Sequence, residues 1–176
     1  MTLTSFVSSD LAFALVRVVV GLVVAAHGAQ KVFGLWGGPG LDRWTQGVTG
    51  MGMRPPRFWA LASAFGELLG GLALSLGFLV PISAALVTMQ IGVALTRVHL
   101  PKGFWVTKGG IEFTLVILTV AVLTGVADPG PWSLDRAIGM PALGLLAYLA
   151  LVIVGLIAYL LGSRPVPQAA QVRKAA

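Results

Sequence analysis

Two glutamates, Glu67 and Glu112, lie in or at the edge of long apolar runs. An ionised carboxylate in such a run is costly, so it normally faces a bundle interior, pairs with a base or takes part in function. The sequence supplies bases at comparable depth: Arg17, His27 and Lys31 in the first apolar run, and Arg97 and His99 at the end of the third. These residue types predict a buried polar cluster suited to proton transfer or to charge pairing.

The first two apolar runs each carry a face of small and polar residues at helical spacing. These faces are Arg17, Gly21, Val24, Gly28 and Lys31 in the first run, and Ala60, Ser63, Ala64, Glu67, Gly70 and Gly71 in the second. Small residues let membrane helices approach closely, so we expect the two faces to pack together with Glu67 against the first helix. At about 1.5 Å per residue, His27 and Glu67 have similar depths, which predicts a contact between them.

The depths of Arg17 and Glu112 determine which partners these two residues can reach. Arg17 lies about 10 Å further from that membrane face than Glu67, so it reaches the glutamate only with an extended side chain. Glu112 begins the fourth run, at the expected level of Arg97 and His99. We therefore predict His27, Glu67 and Glu112 as catalytic candidates, and Arg17, Lys31, Arg97 and His99 as binding or charge-pairing residues. No metal site is predicted.

The composition determines the broad class of the protein. Apolar residues make up 57% and charged residues 10% of the 176 residues, and the mean hydropathy is +0.92. A soluble domain has about 25% charged residues, so this composition predicts a polytopic, all-α membrane protein. The sequence contains no cysteine, which excludes disulfides, thiol nucleophiles and cysteine-ligated clusters within the chain. The net charge of +6 is scattered, with no basic run of the kind that binds nucleic acid.

Five apolar runs are each close to the roughly 20 residues that cross a bilayer. They cover about 11–33, 58–79, 81–99, 109–127 and 140–162, within a single transmembrane domain at 1–163. The connection at 34–57 has room for a short interfacial helix around 41–48, and the tail at 164–176 is predicted to be disordered and cytoplasmic. Most basic residues fall on one side when five spans are counted, so the positive-inside rule predicts the N-terminus outside and the C-terminus inside.

Several short segments together resemble the DoxX family of small bacterial integral membrane proteins. They comprise Arg17 to Gly21, His27-Gly28 with Lys31 and Gly34, Gly66-Glu67 with Gly70-Gly71 and Gly77, His99 with Gly103-Phe104-Trp105, Gly109-Gly110-Ile111-Glu112, and Gly130-Pro131-Trp132-Ser133-Leu134-Asp135. The resemblance covers about residues 11–138 and implies a four-helix core in a bacterial plasma membrane. The run at 140–162 is then an added fifth helix.

The resemblance implies a link to redox chemistry, because some family members are subunits of a membrane thiosulfate:quinone oxidoreductase and others belong to redox-stress assemblies. The first hypothesis is therefore a quinone-linked redox subunit, in which His27 and Glu67 bind the quinone and deliver protons. Any electrons come from a partner protein or a bound cofactor. The alternative is a non-enzymatic scaffold or anchor for soluble redox partners, so an enzymatic and a non-enzymatic function both stay open, as does oligomer formation.

Each polar feature also has a structural interpretation. Buried ion pairs hold helices in register without any chemistry, and Lys31 and Arg97 are typical of helix-end anchors. A b-type haem between His27 and His99 is a third hypothesis, which their different estimated depths disfavour. Buried acids and bases also mark proton pathways, so transport is a fourth. The five tryptophans, Trp36, Trp44, Trp59, Trp105 and Trp132, are expected to form an interfacial aromatic belt.

Overall fold

A computed structural model describes residues 9–141 and 143–164. These described residues form seven α-helices: α1 (Ser9–Phe33), α2 (Gly40–Gly50), α3 (Pro56–Leu76), α4 (Val80–Ala94), α5 (Glu112–Val126), α6 (Leu134–Ala137) and α7 (Gly144–Gly162). The described residues contain no β-strand, only an isolated bridge between Met53 and Ser163. The predicted all-α helix bundle is confirmed.

In the part of the chain that the structure describes, four stretches of helix are long and apolar enough to cross a membrane, judged by length and composition. They are Ser9–Phe33, Pro56–Leu76, Val80–Lys102 and Gly144–Gly162. The helix at Glu112–Val126 is apolar but has 15 residues, because it begins three residues later and ends one residue earlier than the apolar run at 109–127. The division into five spans therefore stays a prediction.

The long helices alternate in direction through the bundle. α1 and α3 are antiparallel, since Gly21 lies against Ser75 while Gly28 lies against Leu68. α7 returns to the end of the bundle where α3 begins, because the Arg54 amide donates to the Gly162 carbonyl at 2.8 Å. We call this the 33/162 end, after the last residues of α1 and α7. The opposite end is called the 77/135 end, after Gly77 and Asp135, whose backbones are hydrogen-bonded there.

The α1–α3 interface is a backbone-to-backbone contact. A Cβ placed on Gly21 would come within 2.5 Å of the Ser75 nitrogen, and one on Gly71 would come within 2.5 Å of the Ala25 nitrogen. A Cβ on Gly28 would overlap the backbone of Leu68. The predicted packing of the two small-residue faces is thus confirmed, and Arg17, Val24 and Glu67 are buried by it.

Short irregular segments join the helices at the 33/162 end. α4 continues through a π-helical turn at Leu95–His99, and a compact loop leads from there into α5. The predicted interfacial helix exists as α2, which packs on α3 through Val48 and Trp44. Of the tail that is predicted to be disordered at 164–176, all but Arg164 lies outside the described residues.

The close approach of α1 and α3 predicts a large difference between two glycine-to-alanine changes. Gly28→Ala should destabilise the bundle by about 1–3 kcal/mol, because the α1 and α3 backbones must separate to admit the methyl group. Gly92 in α4 is the matched control, since a Cβ there meets nothing within 4 Å. Gly92→Ala should be neutral or stabilising by up to about 1 kcal/mol, as expected for alanine in a helix. Thermal unfolding of both variants in detergent measures the contrast, and equal losses would contradict it.

Candidate functional site

Glu67 forms an ion pair with Lys31 across the α1–α3 interface. The Lys31 ammonium donates to Glu67 Oε1, and the glutamate side chain is only 3% exposed. The close backbone approach of the two helices lets the long lysine side chain reach from the last turn of α1 to the middle of α3. The Glu67 carboxylate is thus held by Lys31, for which the sequence predicts charge pairing as well as the role of a helix-end anchor.

The Lys31 ammonium also lies 4.3 Å from the centroid of the Trp44 ring, a cation–π contact. The Trp44 indole N–H donates to the Ser63 hydroxyl at 2.7 Å, and that hydroxyl donates to the Ala60 carbonyl at 3.1 Å. α2 is therefore joined to α3 by a hydrogen bond and to α1 by the cation–π contact. These interactions fix the orientation of the lysine from two sides.

An apolar cavity of about 290 Å³ opens beside this cluster, between α2, α3, α4 and α7. Lys31, Trp44, Ser63, Glu67 and Gln90 supply its polar lining. The remaining lining is apolar or aromatic and consists of Val48, Met51, Met53, Trp59, Ile82, Ala85, Leu86, Met89, Val93, Ala94, Leu151, Val154, Gly155, Ala158 and Tyr159. An apolar chamber with a few convergent polar groups is typical of a small-molecule binding site.

Gln90 brings a neutral amide to the cavity from α4. Its side-chain nitrogen lies 3.5 Å from the Ala62 carbonyl, a long hydrogen bond. Gly66 makes room for this amide, because a Cβ at that position would come within 2.8 Å of the Gln90 nitrogen. The Gly66-Glu67 dipeptide therefore places the carboxylate and admits the neighbouring amide.

His27 does not join the Glu67 cluster. It is exposed on α1 and lies against Phe113 of α5, with ring centroids 6.0 Å apart. The described residues show no hydrogen bond or ion pair between His27 and Glu67, so the predicted contact between them is wrong. Lys31, one turn further along α1 than His27, pairs with the Glu67 carboxylate instead.

Glu112, Arg97 and His99 do not form the predicted group either, since each has a separate partner. Glu112 Oε2 accepts from the Val106 amide at 2.9 Å, and His99 Nδ1 lies 2.7 Å from the Gly109 carbonyl oxygen. Arg97 donates to the Tyr159 hydroxyl, which connects α4 to α7. Glu112 and His99 hold the loop between α4 and α5, whereas Arg97 acts on a residue that lines the cavity.

Arg17 belongs to a second buried cluster at the 77/135 end. Its side chain is 1% exposed and donates to the carbonyl oxygens of Pro129 and Trp132, at 2.8 and 2.6 Å. Asp135 accepts from the Leu79 and Val80 amides at 2.7 and 2.9 Å, which caps the first turn of α4. The sequence predicts that Arg17 reaches Glu67 only with an extended side chain, whereas in the structure it ties the segment after α5 to α1.

The sequence analysis missed Trp44, Trp59 and Tyr159 as lining residues. Trp44 and Trp59 were assigned to an interfacial belt, but both border the cavity, while Trp36, Trp105 and Trp132 are largely exposed. The i, i+4 spacing of Trp44 and Val48 in a short amphipathic helix was the available signal. Among the described residues, no three His, Cys, Asp or Glu side chains come together.

A family model described as DoxX matches residues 12–100, just over half of the chain. The chain belongs to the DoxX family. The matched DoxX region contains Lys31, Trp44, Ser63, Glu67 and Gln90, and it ends before Glu112 and α7. With its apolar helices, this DoxX chain is a multi-pass membrane protein whose outer surface contacts the lipid bilayer. No curated protein and no solved structure matches the chain at a significant level.

The buried ion pair predicts non-additive effects of mutation. Lys31→Met should destabilise the protein by about 3 kcal/mol, since it leaves the Glu67 carboxylate buried without a counter-charge. Adding Glu67→Leu to that variant should recover most of the loss, because an apolar pair of similar size needs no counter-charge. Unfolding of the single and double variants completes a double-mutant cycle, and additive losses would contradict the pairing.

The cap at the 77/135 end predicts a second contrast, between two aspartates. Asp135→Ala should cost about 1–3 kcal/mol, because two buried backbone amides lose their acceptor. Asp128 pairs with Arg136 on the surface at 3.4 Å, where both side chains are 65% exposed. Asp128→Ala should therefore cost less than about 1 kcal/mol. Chemical unfolding of the two variants in detergent measures the difference, which would vanish if Asp135 did not cap α4.

Proposed function

We propose that this DoxX-family chain is a quinone-binding subunit of a membrane redox complex, with the quinone head in the cavity beside Glu67 and Lys31. The observation that carries this proposal is the cavity itself, an apolar chamber with its polar groups gathered around one buried ion pair. A quinone has a flat ring with two carbonyl oxygens and an apolar tail. Its chemistry therefore fits a site that is mostly apolar with a few hydrogen-bond donors.

Two donors near the buried pair suit a quinone carbonyl. The Lys31 ammonium has three hydrogens and uses one on Glu67, and the Gln90 amide has a second hydrogen beyond its long bond to Ala62. Trp44 and Trp59 supply aromatic surface for the ring. This assignment replaces the His27–Glu67 pair of the sequence hypothesis with Lys31 and Glu67, and it keeps Glu67 at the centre.

Reduction of a quinone takes two electrons and two protons. The Lys31–Glu67 pair can hold and pass a proton at the quinone oxygen, because an ammonium donates a proton, a carboxylate accepts one, and both groups border the cavity. The electrons enter from a redox partner protein, as the family resemblance implies. Lys31, Glu67 and Gln90 thus bind the quinone and supply its protons, and the redox partner in the complex supplies the electrons.

We also propose a bacterial plasma membrane as the location, with the 33/162 end in the cytoplasm. The basic residues of the described connections lie mostly at that end: Arg43, Arg54, Arg57, Lys102, Lys108 and Arg164. Arg136 is the counterpart at the 77/135 end, where Asp128 and Asp135 accompany it. This asymmetry follows the positive-inside rule and places the cavity nearer the cytoplasmic side.

The proposed site predicts that filling the cavity prevents quinone binding. Ala158 of α7 lines the cavity, so Ala158→Phe should raise the Kd of a short-chain benzoquinone by about tenfold or more. Binding is measured as quenching of tryptophan fluorescence in detergent, because quinones quench indoles and two tryptophans border the site. Variants with Trp44→Phe and Trp59→Phe should lose most of the quenching signal.

The matched control is Ala150→Phe on the same helix. Ala150 is exposed and does not line the cavity, so the same added ring should leave the quinone Kd within about twofold of the unmodified protein. Equal effects of the two changes would contradict the assignment of the site. Normal recruitment of soluble partners by a protein that binds no quinone would instead support the scaffold function.

A further inference from the structure

The Glu67 carboxylate has one oxygen without a partner. Oε1 accepts from Lys31, whereas Oε2 is buried and has no hydrogen bond within the described residues. An ionised carboxylate offers about four acceptor positions, and a buried acceptor left unpaired is unfavourable. The site therefore lacks a hydrogen-bond donor at Glu67.

The indole and hydroxyl donors beside the carboxylate are already engaged, and the spare hydrogens of Lys31 and Gln90 make no bond to Oε2. The Trp44 indole donates to Ser63, the Ser63 hydroxyl donates to Ala60, and the Gln90 nitrogen faces the Ala62 carbonyl. The cavity is the open side of the carboxylate, because Glu67 lines it. The last torsion of a glutamate is soft, so rotation presents either oxygen to the cavity. A ligand in the cavity is thus the available source of a donor.

The two redox forms of a quinone differ in this property. The carbonyl oxygens of the oxidised form only accept hydrogen bonds, and beside a carboxylate they leave it unpaired. The hydroxyls of the reduced form, the hydroquinone, donate one bond and still accept others. A hydroquinone hydroxyl therefore donates to the free oxygen of Glu67 and also accepts a hydrogen bond from Lys31 or Gln90. A quinone carbonyl accepts from Lys31 or Gln90 but has no hydrogen to donate to Glu67.

We infer that the cavity binds the hydroquinone form of its ligand more tightly than the oxidised form, because a ligand hydroxyl donates to the free oxygen of Glu67. This inference rests on the proposed quinone-binding function and adds to it the redox state that the site prefers. A hydrogen bond to a charged acceptor corresponds to a preference of roughly 10- to 100-fold. The preference raises the midpoint potential of the bound couple by about 30 mV for each tenfold.

Three ligands of matched shape test this inference in purified protein under anaerobic conditions. They are a short-chain benzoquinone, its hydroquinone and the dimethyl ether of that hydroquinone, which keeps both oxygens but has no hydroxyl. The quinone is measured by tryptophan quenching, and the other two by their displacement of it. The hydroquinone should bind at least about tenfold more tightly than the quinone, and the ether no more tightly than the quinone.

A conservative variant separates the carboxylate from the cavity shape. Glu67→Gln replaces the charged acceptor with an amide, so the ratio of the two affinities should fall to about one. Asp42→Asn makes the same kind of change on an exposed residue of α2 outside the cavity, and it should leave the ratio unchanged.

The outcomes distinguish this inference from the function on which it rests. Quinone binding that equals or exceeds hydroquinone binding would overturn the inference and leave the quinone site standing. An ether that binds as tightly as the hydroquinone would also overturn it, since the preference would not come from the hydroxyl. Absence of binding by all three ligands would overturn the quinone site itself. These comparisons use the unmodified protein, so they hold even where Glu67→Gln does not fold.

Discussion

The contact between Lys31 and Glu67 depends on a backbone geometry that few residue types allow. α1 and α3 touch along Gly21, Gly28 and Gly71, where a single added Cβ would overlap the backbone of the opposite helix. A wider interface would draw the lysine away from the glutamate and leave two charges buried apart, which is far more costly than burying them as a pair. The glycines, the ion pair and the cavity beside it therefore form one structural unit, with α2 fixing the lysine through Trp44.

The two ends of the bundle carry different kinds of polar interaction. At the 77/135 end, Arg17 and Asp135 bond to backbone groups. The Asp135 carboxylate accepts from two backbone amides at the start of α4, which have no acceptor within the helix. These bonds tie side chains to the backbone, and the buried Nε of Arg17 has no partner among the described residues. Around Glu67, side chains bond to side chains and one carboxylate oxygen stays free. Burial alone does not distinguish these two clusters, whereas the identity of the partners does.

The sequence predicted the architecture well because its signals are local. Apolar length predicts helices, and the i, i+4 pattern of small residues predicted the α1–α3 interface and the position of Glu67 in it. Partner choice was harder to predict, since His27 and Lys31 differ by one turn, and their rotation on the helix decides which one faces Glu67. Glu112 was misplaced because its partner is the backbone amide of Val106, which no residue pattern reveals. Tyr159 was missed because it comes from a helix beyond the family match.

The position of α7 has a consequence for how a ligand would enter. This helix supplies one wall of the cavity through Leu151, Val154, Gly155, Ala158 and Tyr159, yet nearly all of its remaining surface faces outward. In a bundle without α7, the groove beside Glu67 would be open to the lipid acyl chains. An amphipathic ligand would then pass directly between the groove and the bilayer. With α7 in place, the groove has a wall on that side. The hydrogen bond from Arg97 to Tyr159 joins α7 to the π-helical turn that continues α4. α7 thus closes one side of the groove beside Glu67, so the width of the way in from the bilayer depends on how closely this helix packs on α4.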